Sequence, residues 1–179
     1  DGASARIFRT LASMPFTLRF GGKPQLVQPI HVDDLVLAIV GLLKHRLPMM
    51  PGAGTSVRVP LVGPQAMPFT DYLGLLRSSM GMGRQRVLNL PGPLARLAAG
   101  LLPGSLLSRE ALDMLDRDNT ADVIQTAMLL GHLPRAPGEF IGDPDGERVR
   151  AKLGWLLPML RTSIAAVWIL TAIVSFGLY

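Results

Sequence analysis

The sequence predicts a mixed α/β domain that runs into a membrane-spanning helix. Three observations carry this expectation. Short stretches alternating apolar and polar residues are interleaved with stretches whose apolar residues recur at helical spacing. The last eighteen residues, Thr162 to Tyr179, carry no charge, and as a helix they would extend about 27 Å, close to the thickness of bilayer hydrocarbon. Hydrophobic residues make up 49% of the 179 and charged ones only 17%. That balance excludes intrinsic disorder, and the length suits one compact domain with a tail.

Composition excludes several chemistries. With no cysteine there is no disulfide, thiolate metal site or cysteine nucleophile, and with 3 histidines a multi-histidine metal centre is not expected. The 19 glycines and 15 prolines imply many turns between short elements. The net charge is +5, with Arg6, Arg9, Arg19, Lys23, Lys44, Arg46 and Arg58 spread singly through the first sixty residues. No basic run carries interleaved aromatics, so nucleic acid is not an expected partner. The first ten residues mix polar and apolar types and do not form a secretory signal. The chain begins at Asp1 rather than Met and stops inside an apolar run, so it is expected to be a piece of a longer or processed protein.

Residues 3–13 place Ile7, Phe8 and Leu11 on one helical face. Phe16, Leu18 and Phe20 alternate with Thr17 and Arg19, the pattern of a half-buried strand. Gly21-Gly22-Lys23-Pro24 is a turn, and 25–30 a second short strand that would close a hairpin, with Pro29 confining it to an edge. Residues 32–46 form the clearest helix, with Asp33 and Asp34 at its positive end and Lys44, His45 and Arg46 at its negative end. Its apolar residues run nearly all round, so burial on more than one side is expected.

Residues 48–54 read as a loop and 56–62 as a strand ended by Gly63-Pro64. Residues 70–80 form an amphipathic helix stopped by Gly81, and 87–90 a short strand. Helices are expected over 94–102, from a Ser108 cap to Leu115, and from a Thr120 cap to Leu130. Asp143-Pro144 supplies cap and first turn for a helix through Lys152. The domain is thus expected over 1–145, a linker or juxtamembrane helix over 146–161, and the span over 162–179. Trp155 and Arg161 mark the membrane boundary, with Arg161 snorkelling to the interface. Arg148, Arg150, Lys152 and Arg161 favour a cytoplasmic side for the domain at a cell membrane.

No dinucleotide fingerprint, phosphate loop or nucleophile elbow occurs in the chain. Gly52-Ala53-Gly54 precedes a strand and Gly81-Met82-Gly83 ends a helix, so both are turns. Neither Tyr72 nor Tyr179 is followed four residues later by lysine. None of these patterns therefore marks a catalytic residue in this chain. The strongest local signal is QPIHVDDLVLAIV, residues 28–40, a strand running into a helix with acid at the junction. Asp33 and Asp34 read as caps for backbone N–H groups that lack helical partners. His31 sits at a position where ligands are often met in α/β folds, although a lone histidine is more often structural.

That segment resembles the hVdDva.aiv segment of extended or atypical short-chain dehydrogenases, the NAD-dependent epimerase/dehydratase group. The preceding GASARIFRTLASMPFTLRFGGKPQLVQPI is similar to the stretch after the RPSxVYGxGG segment in those proteins, and LVGPQAMPFTDYLGLLRSSMG resembles their next strand–helix unit. SLLSREALDMLDRDNTAD and LLGHLPRAPGEFI resemble a subgroup that continues into a DoxX-like membrane domain, and LRTSIAAVWILTAIVSFGLY is similar to the first span of that domain. The departures are as plain. The family's cofactor fingerprint and Tyr-x-x-x-Lys pair have no matching positions here, and Pro68 replaces the usual Ser or Thr cap.

The resemblance implies the C-terminal, substrate-side part of a Rossmann-like domain, followed by a transmembrane helix. Gln28, Pro29 and His31 would face the cofactor or substrate, and Asp33 would hold the start of the helix. NAD or NADP and a small-molecule substrate would be ligands of the longer parent, and the lipid bilayer its other partner. Three roles stay open. One is part of a membrane-tethered NAD(P)-dependent oxidoreductase or epimerase-like protein. The second is a non-catalytic nucleotide-binding accessory or assembly module at the membrane. The third is a DoxX-like redox component near the quinone pool.

Overall fold

Helix α3 (Phe69–Ser79) is where the packing converges. Its Phe69, Tyr72, Leu73 and Leu76 recur at helical spacing, and all four are buried. They meet Ala12, Met80 and Ala151, with Phe8, Leu11, Val27, Met67, Met82, Phe140 and Ile141 packed around them. Phe8 stands edge-on to Phe69 at 5.7 Å and to Tyr72 at 5.8 Å between ring centres, a favoured arrangement of ring quadrupoles. Gly81, at φ 67, lets the chain turn out of the helix as the sequence predicts. Pro68 precedes α3 and supplies no side-chain cap.

In this computed structural model the described residues are 3–20, 24–44, 58–90 and 120–177. They hold a mixed α/β arrangement with two small sheets and one long apolar helix at the C-terminal end. Helix α1 (Ala3–Ser13) leads into strand β1 (Phe16–Phe20). Strand β2 (Leu26–Val27) precedes helix α2 (Val32–Lys44), and β3 (Met67–Pro68) leads into α3. Strand β4 (Arg86–Leu90), helix α4 (Ile124–Leu130), a 3-10 turn (Pro137–Glu139) and helix α5 (Pro144–Gly177) come next in the chain.

Strand pairing corrects the expected hairpin. β1 pairs in parallel with β4, Phe16 opposite Arg86 and Phe20 opposite Leu90, whereas β2 pairs antiparallel with β3. The reason lies at the end of α1. Gln85 Nε2 donates to the carbonyls of Leu11, Met14 and Phe16 at 2.9–3.1 Å. Arg77 Nη1 donates to those of Ala12 and Met14 at 2.9 and 2.8 Å, and its Nε bonds the Gly83 carbonyl. Helix-end carbonyls lack intrahelical partners, and a guanidinium there also complements the dipole. These bonds bring residue 86 beside residue 16, where Arg86 N–H donates to the Pro15 carbonyl at 3.3 Å.

Other expectations shift at the edges. The strand expected over 56–62 has no counterpart from residue 58 onward, and 56–57 lie outside the described residues. The helix expected from Thr120 begins at Ile124, whose N–H bonds Asp122 Oδ1 at 3.0 Å, so Asp122 supplies the turn. The 48–54 loop, the helices at 94–102 and 108–115, and residues 45–46 lie outside the described residues.

Helix α5 is capped as expected. Asp143 Oδ1 accepts from Gly146 N–H at 3.1 Å and Pro144 occupies the first turn. It does not stop at Lys152 but runs to Gly177, 34 residues in all, roughly 51 Å of helix. Its first part packs on α1: Arg9 pairs with Glu147 at 2.8 Å, and Trp155 Nε1 donates to Ser13 Oγ at 3.1 Å. Pro158 lies within it and cannot donate to the Gly154 carbonyl. Beyond it the helix is long and apolar enough to cross a membrane, with mean hydropathy 1.7 and none of that window buried in the protein. The hydroxyls of Thr162, Ser163 and Thr171 bond carbonyls of their own helix at 2.8–2.9 Å. They therefore need no outside partner in an apolar medium.

Burial pushes the Tyr72 phenol from 10.0 up to about 12, and the Arg9 guanidinium offsets part of the rise. In the unfolded chain that phenol ionises near pH 10. Its stabilising contribution is thus full below pH 10 and is lost as pH rises towards 12. Denaturant titrations at about pH 9 and about pH 11 should show lower stability at the higher pH, and Tyr72→Phe should shrink that loss.

Candidate functional site

The site the sequence singles out is built from loops held by side chains. After β2, the Gln28 amide reaches across two neighbours. Its Nε2 donates to the Gly63 carbonyl at 2.9 Å, and its Oε1 accepts from Ala121 N–H at 3.0 Å. Its backbone carbonyl also accepts from Gly63 N–H at 3.3 Å. Gly63 is required by closeness, since a Cβ there would lie 1.8 Å from the Pro29 carbonyl oxygen. One residue earlier, Val62 N–H donates to the fully buried Thr126 hydroxyl at 3.0 Å. Gln28 and Pro29 thus weld residues 28–30, 61–63 and 121.

The chain then enters α2 at His31. Its carbonyl accepts from Leu35 N–H at 2.9 Å, and its Nδ1 accepts from Asp33 N–H at 3.3 Å. The imidazole therefore takes the capping position expected for the aspartates. Arg135 Nη1 also approaches Nδ1, at 3.3 Å. Both groups within hydrogen-bond distance are donors, so a neutral ring that accepts from them carries its proton on Nε2. The ring lies 5.3 Å from Phe140, tilted by 57°.

The aspartates turn away from their own helix end towards Arg135. Asp34 is fully buried, and its Oδ2 accepts from Arg135 backbone N–H at 2.8 Å while Oδ1 lies 3.1 Å from Arg135 Nε. That second approach is an ion contact out of hydrogen-bond alignment, so Oδ1 has no hydrogen bond. Asp33 is exposed, 3.3 Å from Arg135 Nη1 and 3.6 Å from His31 Nδ1. The cluster holds two carboxylates to one guanidinium, with the His31 side chain 20% exposed.

The structure therefore brings His31, Asp33 and Asp34 together with Arg135 and Phe140, and leaves Gln28 and Pro29 in the weld behind them. Sequence reasoning missed Arg135, about a hundred residues along the chain. The nearest signal was Leu133-Pro134-Arg135-Ala136-Pro137, where two buried prolines fix the segment that presents it. Trp155, expected at the membrane boundary, is half-buried with its N–H on Ser13, while Arg161 is exposed on α5. Among the described residues no group of three or more histidine, cysteine or acidic side chains is placed to hold a metal. Chemically, the junction offers one imidazole N–H donor in a negatively biased, partly exposed setting. That disfavours an anionic ligand such as phosphate at this junction. No family model matches this sequence, and no match to it was found among curated proteins.

The geometry sets two measurable outcomes. Arg135→Met strands the buried Asp34 carboxylate and should cost about 3–5 kcal/mol in denaturant unfolding, and adding Asp34→Asn should recover much of the loss. Gly63→Ala forces residues 28–30 and 61–63 apart and should destabilise by about 1–3 kcal/mol, whereas Gly83→Ala, with open space around it, should not.

Proposed function

We propose that this chain is the substrate-side part of a Rossmann-like short-chain dehydrogenase domain, tethered by α5 to a membrane with the domain on the cytoplasmic side. The parent would be an NAD(P)-dependent oxidoreductase or epimerase-like protein. The single observation that carries the reading is the parallel pairing of β1 with β4, two strands joined through β2, α2, β3 and α3. Parallel strands occur almost only in sheets buried on both faces, within α/β domains. Here Val87 and Leu88 on β4 and Phe16 on β1 are exposed, as are Val32, Val36, Leu37, Ile39 and Leu43 along α2. Further strands and helices of a larger sheet would cover them.

In that setting the His31 N–H would meet the carboxamide or ring end of the nicotinamide, and the carboxylates beside it would favour the positively charged oxidised ring. The proton-donating tyrosine and its lysine would come from outside this chain. The bound nicotinamide would supply hydride transfer, while these residues orient it and wall the pocket.

A second reading has its own support. Gln28, which resemblance places at the ligand, commits both ends of its amide to backbone groups. That favours a non-catalytic, membrane-anchored nucleotide-binding or assembly module.

Sequencing the coding DNA on both sides of this segment, then assaying the full protein, separates the two. The enzyme reading expects an upstream glycine-rich turn and Tyr-x-x-x-Lys helix, NAD(P)-dependent turnover by the full protein, and none by residues 1–179 alone. A full protein that binds NAD(P) without the Tyr/Lys pair and without turnover supports the accessory role. Turnover by residues 1–179 alone would overturn the assignment of catalysis to residues outside this chain.

A further inference from the structure

We propose that the cleft between α1 and the start of α5 is a phosphate-binding site at the membrane surface. It has a volume of about 220 Å³ and is lined by Arg6, Arg9, Thr10, Glu147, Arg150 and Ala151, together with Gly154. Among the described residues, three guanidiniums and one carboxylate line it. Glu147 is largely buried, and each of its oxygens takes one arginine, Oε2 with Arg9 Nη1 at 2.8 Å and Oε1 with Arg150 Nη1 at 2.9 Å. A guanidinium carries five N–H donors in a planar fork, so the single contact to Glu147 positions Arg150 without exhausting it. Arg6 is exposed and has no acidic partner among the described residues. The floor is made of small residues, Ala151 and Gly154, and a Cβ at Gly154 would lie 2.7 Å from Thr10 Oγ1. A planar, positively charged fork over a shallow floor is the arrangement that recognises phosphate oxygens in pairs.

The position of the cleft along α5 sets it near the level of lipid phosphates. This step rests on the reading of α5 as a span. From Leu156 to Gly177 the helix extends about 33 Å, against roughly 30 Å for bilayer hydrocarbon. Leu156, Leu157, Met159 and Leu160 are already exposed and apolar. The lipid phosphates then fall level with the turn at Lys152–Trp155, beside the cleft. Arg161 lies just inside, and its stem returns its charge to the interface. The shared chemistry is a phosphate group, from an anionic lipid headgroup or from a soluble phosphate.

The test uses the full protein in detergent, titrated calorimetrically with dihexanoyl phosphatidylglycerol and, separately, with inorganic phosphate. Arg6→Gln combined with Arg150→Gln should weaken binding at least tenfold, and Arg6→Gln alone, which removes no carboxylate's partner among the described residues, should weaken it with an unchanged melting temperature. Arg148→Gln, on the same helix but outside the cleft, should leave it unchanged. Binding of the lipid alone assigns a headgroup, and binding of inorganic phosphate assigns a soluble source. The proposal is overturned if neither probe binds, if the paired variant binds like wild type, or if Arg148→Gln weakens binding as much. Carbonate extraction of membranes tests the span separately. Protein released by carbonate sinks the span reading, while the inorganic phosphate titration still decides the cleft.

Discussion

Asp34 sits at the start of α2 with no exposure to solvent, and much of the local structure depends on what that carboxylate requires. An isolated buried carboxylate costs several kcal/mol, so its surroundings must supply both charge and donors. Arg135 supplies both, through its backbone N–H and its guanidinium. Bringing Arg135 there docks the segment that carries the buried Pro134 and Pro137, and with it Phe140 against His31. His31 is left to cap α2 through Nδ1. The chemistry available at the junction is thus a by-product of solvating one buried charge.

The same device recurs in two other places among the described residues. Gln28 joins three loop segments, and Gln85 and Arg77 gather the carbonyls at the end of α1. Long polar side chains here satisfy the backbone groups that ladders satisfy elsewhere. Hence a fold with two sheets of two strands each can still fix the strand–helix junction among the described residues. The uncovered apolar faces of α2 and β4 show where this device ends.

Helices α1, α2 and α3 and strand β1 were legible because their signals are local. Buried positions such as Tyr72, Leu73 and Leu76 repeat at the helical period, and Gly81 marks a stop. Strand partners were not legible in this way. Gly21-Gly22-Lys23-Pro24 signals a reversal, and a reversal next to a strand reads as a hairpin, yet β1 finds its partner some seventy residues on. What decides it is the Gln85 amide meeting the end of α1, a contact with no periodic trace. The candidate site divides likewise. His31, Asp33 and Asp34 announce themselves by clustering at a junction, but the aspartates' role depends on Arg135, which sits in an ordinary loop sequence. Acid at a helix start reads as a cap unless a distant cation claims it.

The continuity of α5 has a mechanical consequence. The segment that packs on α1 and the apolar segment after it are one helix, with no flexible connection between them. An unbroken helix transmits torque, so the domain's attitude to whatever surrounds the apolar end is fixed by the helix itself. Pro158 is the exception, because the missing N–H leaves one turn less braced just past the Trp155 bond to Ser13. The freedom of the domain relative to the apolar segment then reduces to a single bending angle, set by one residue.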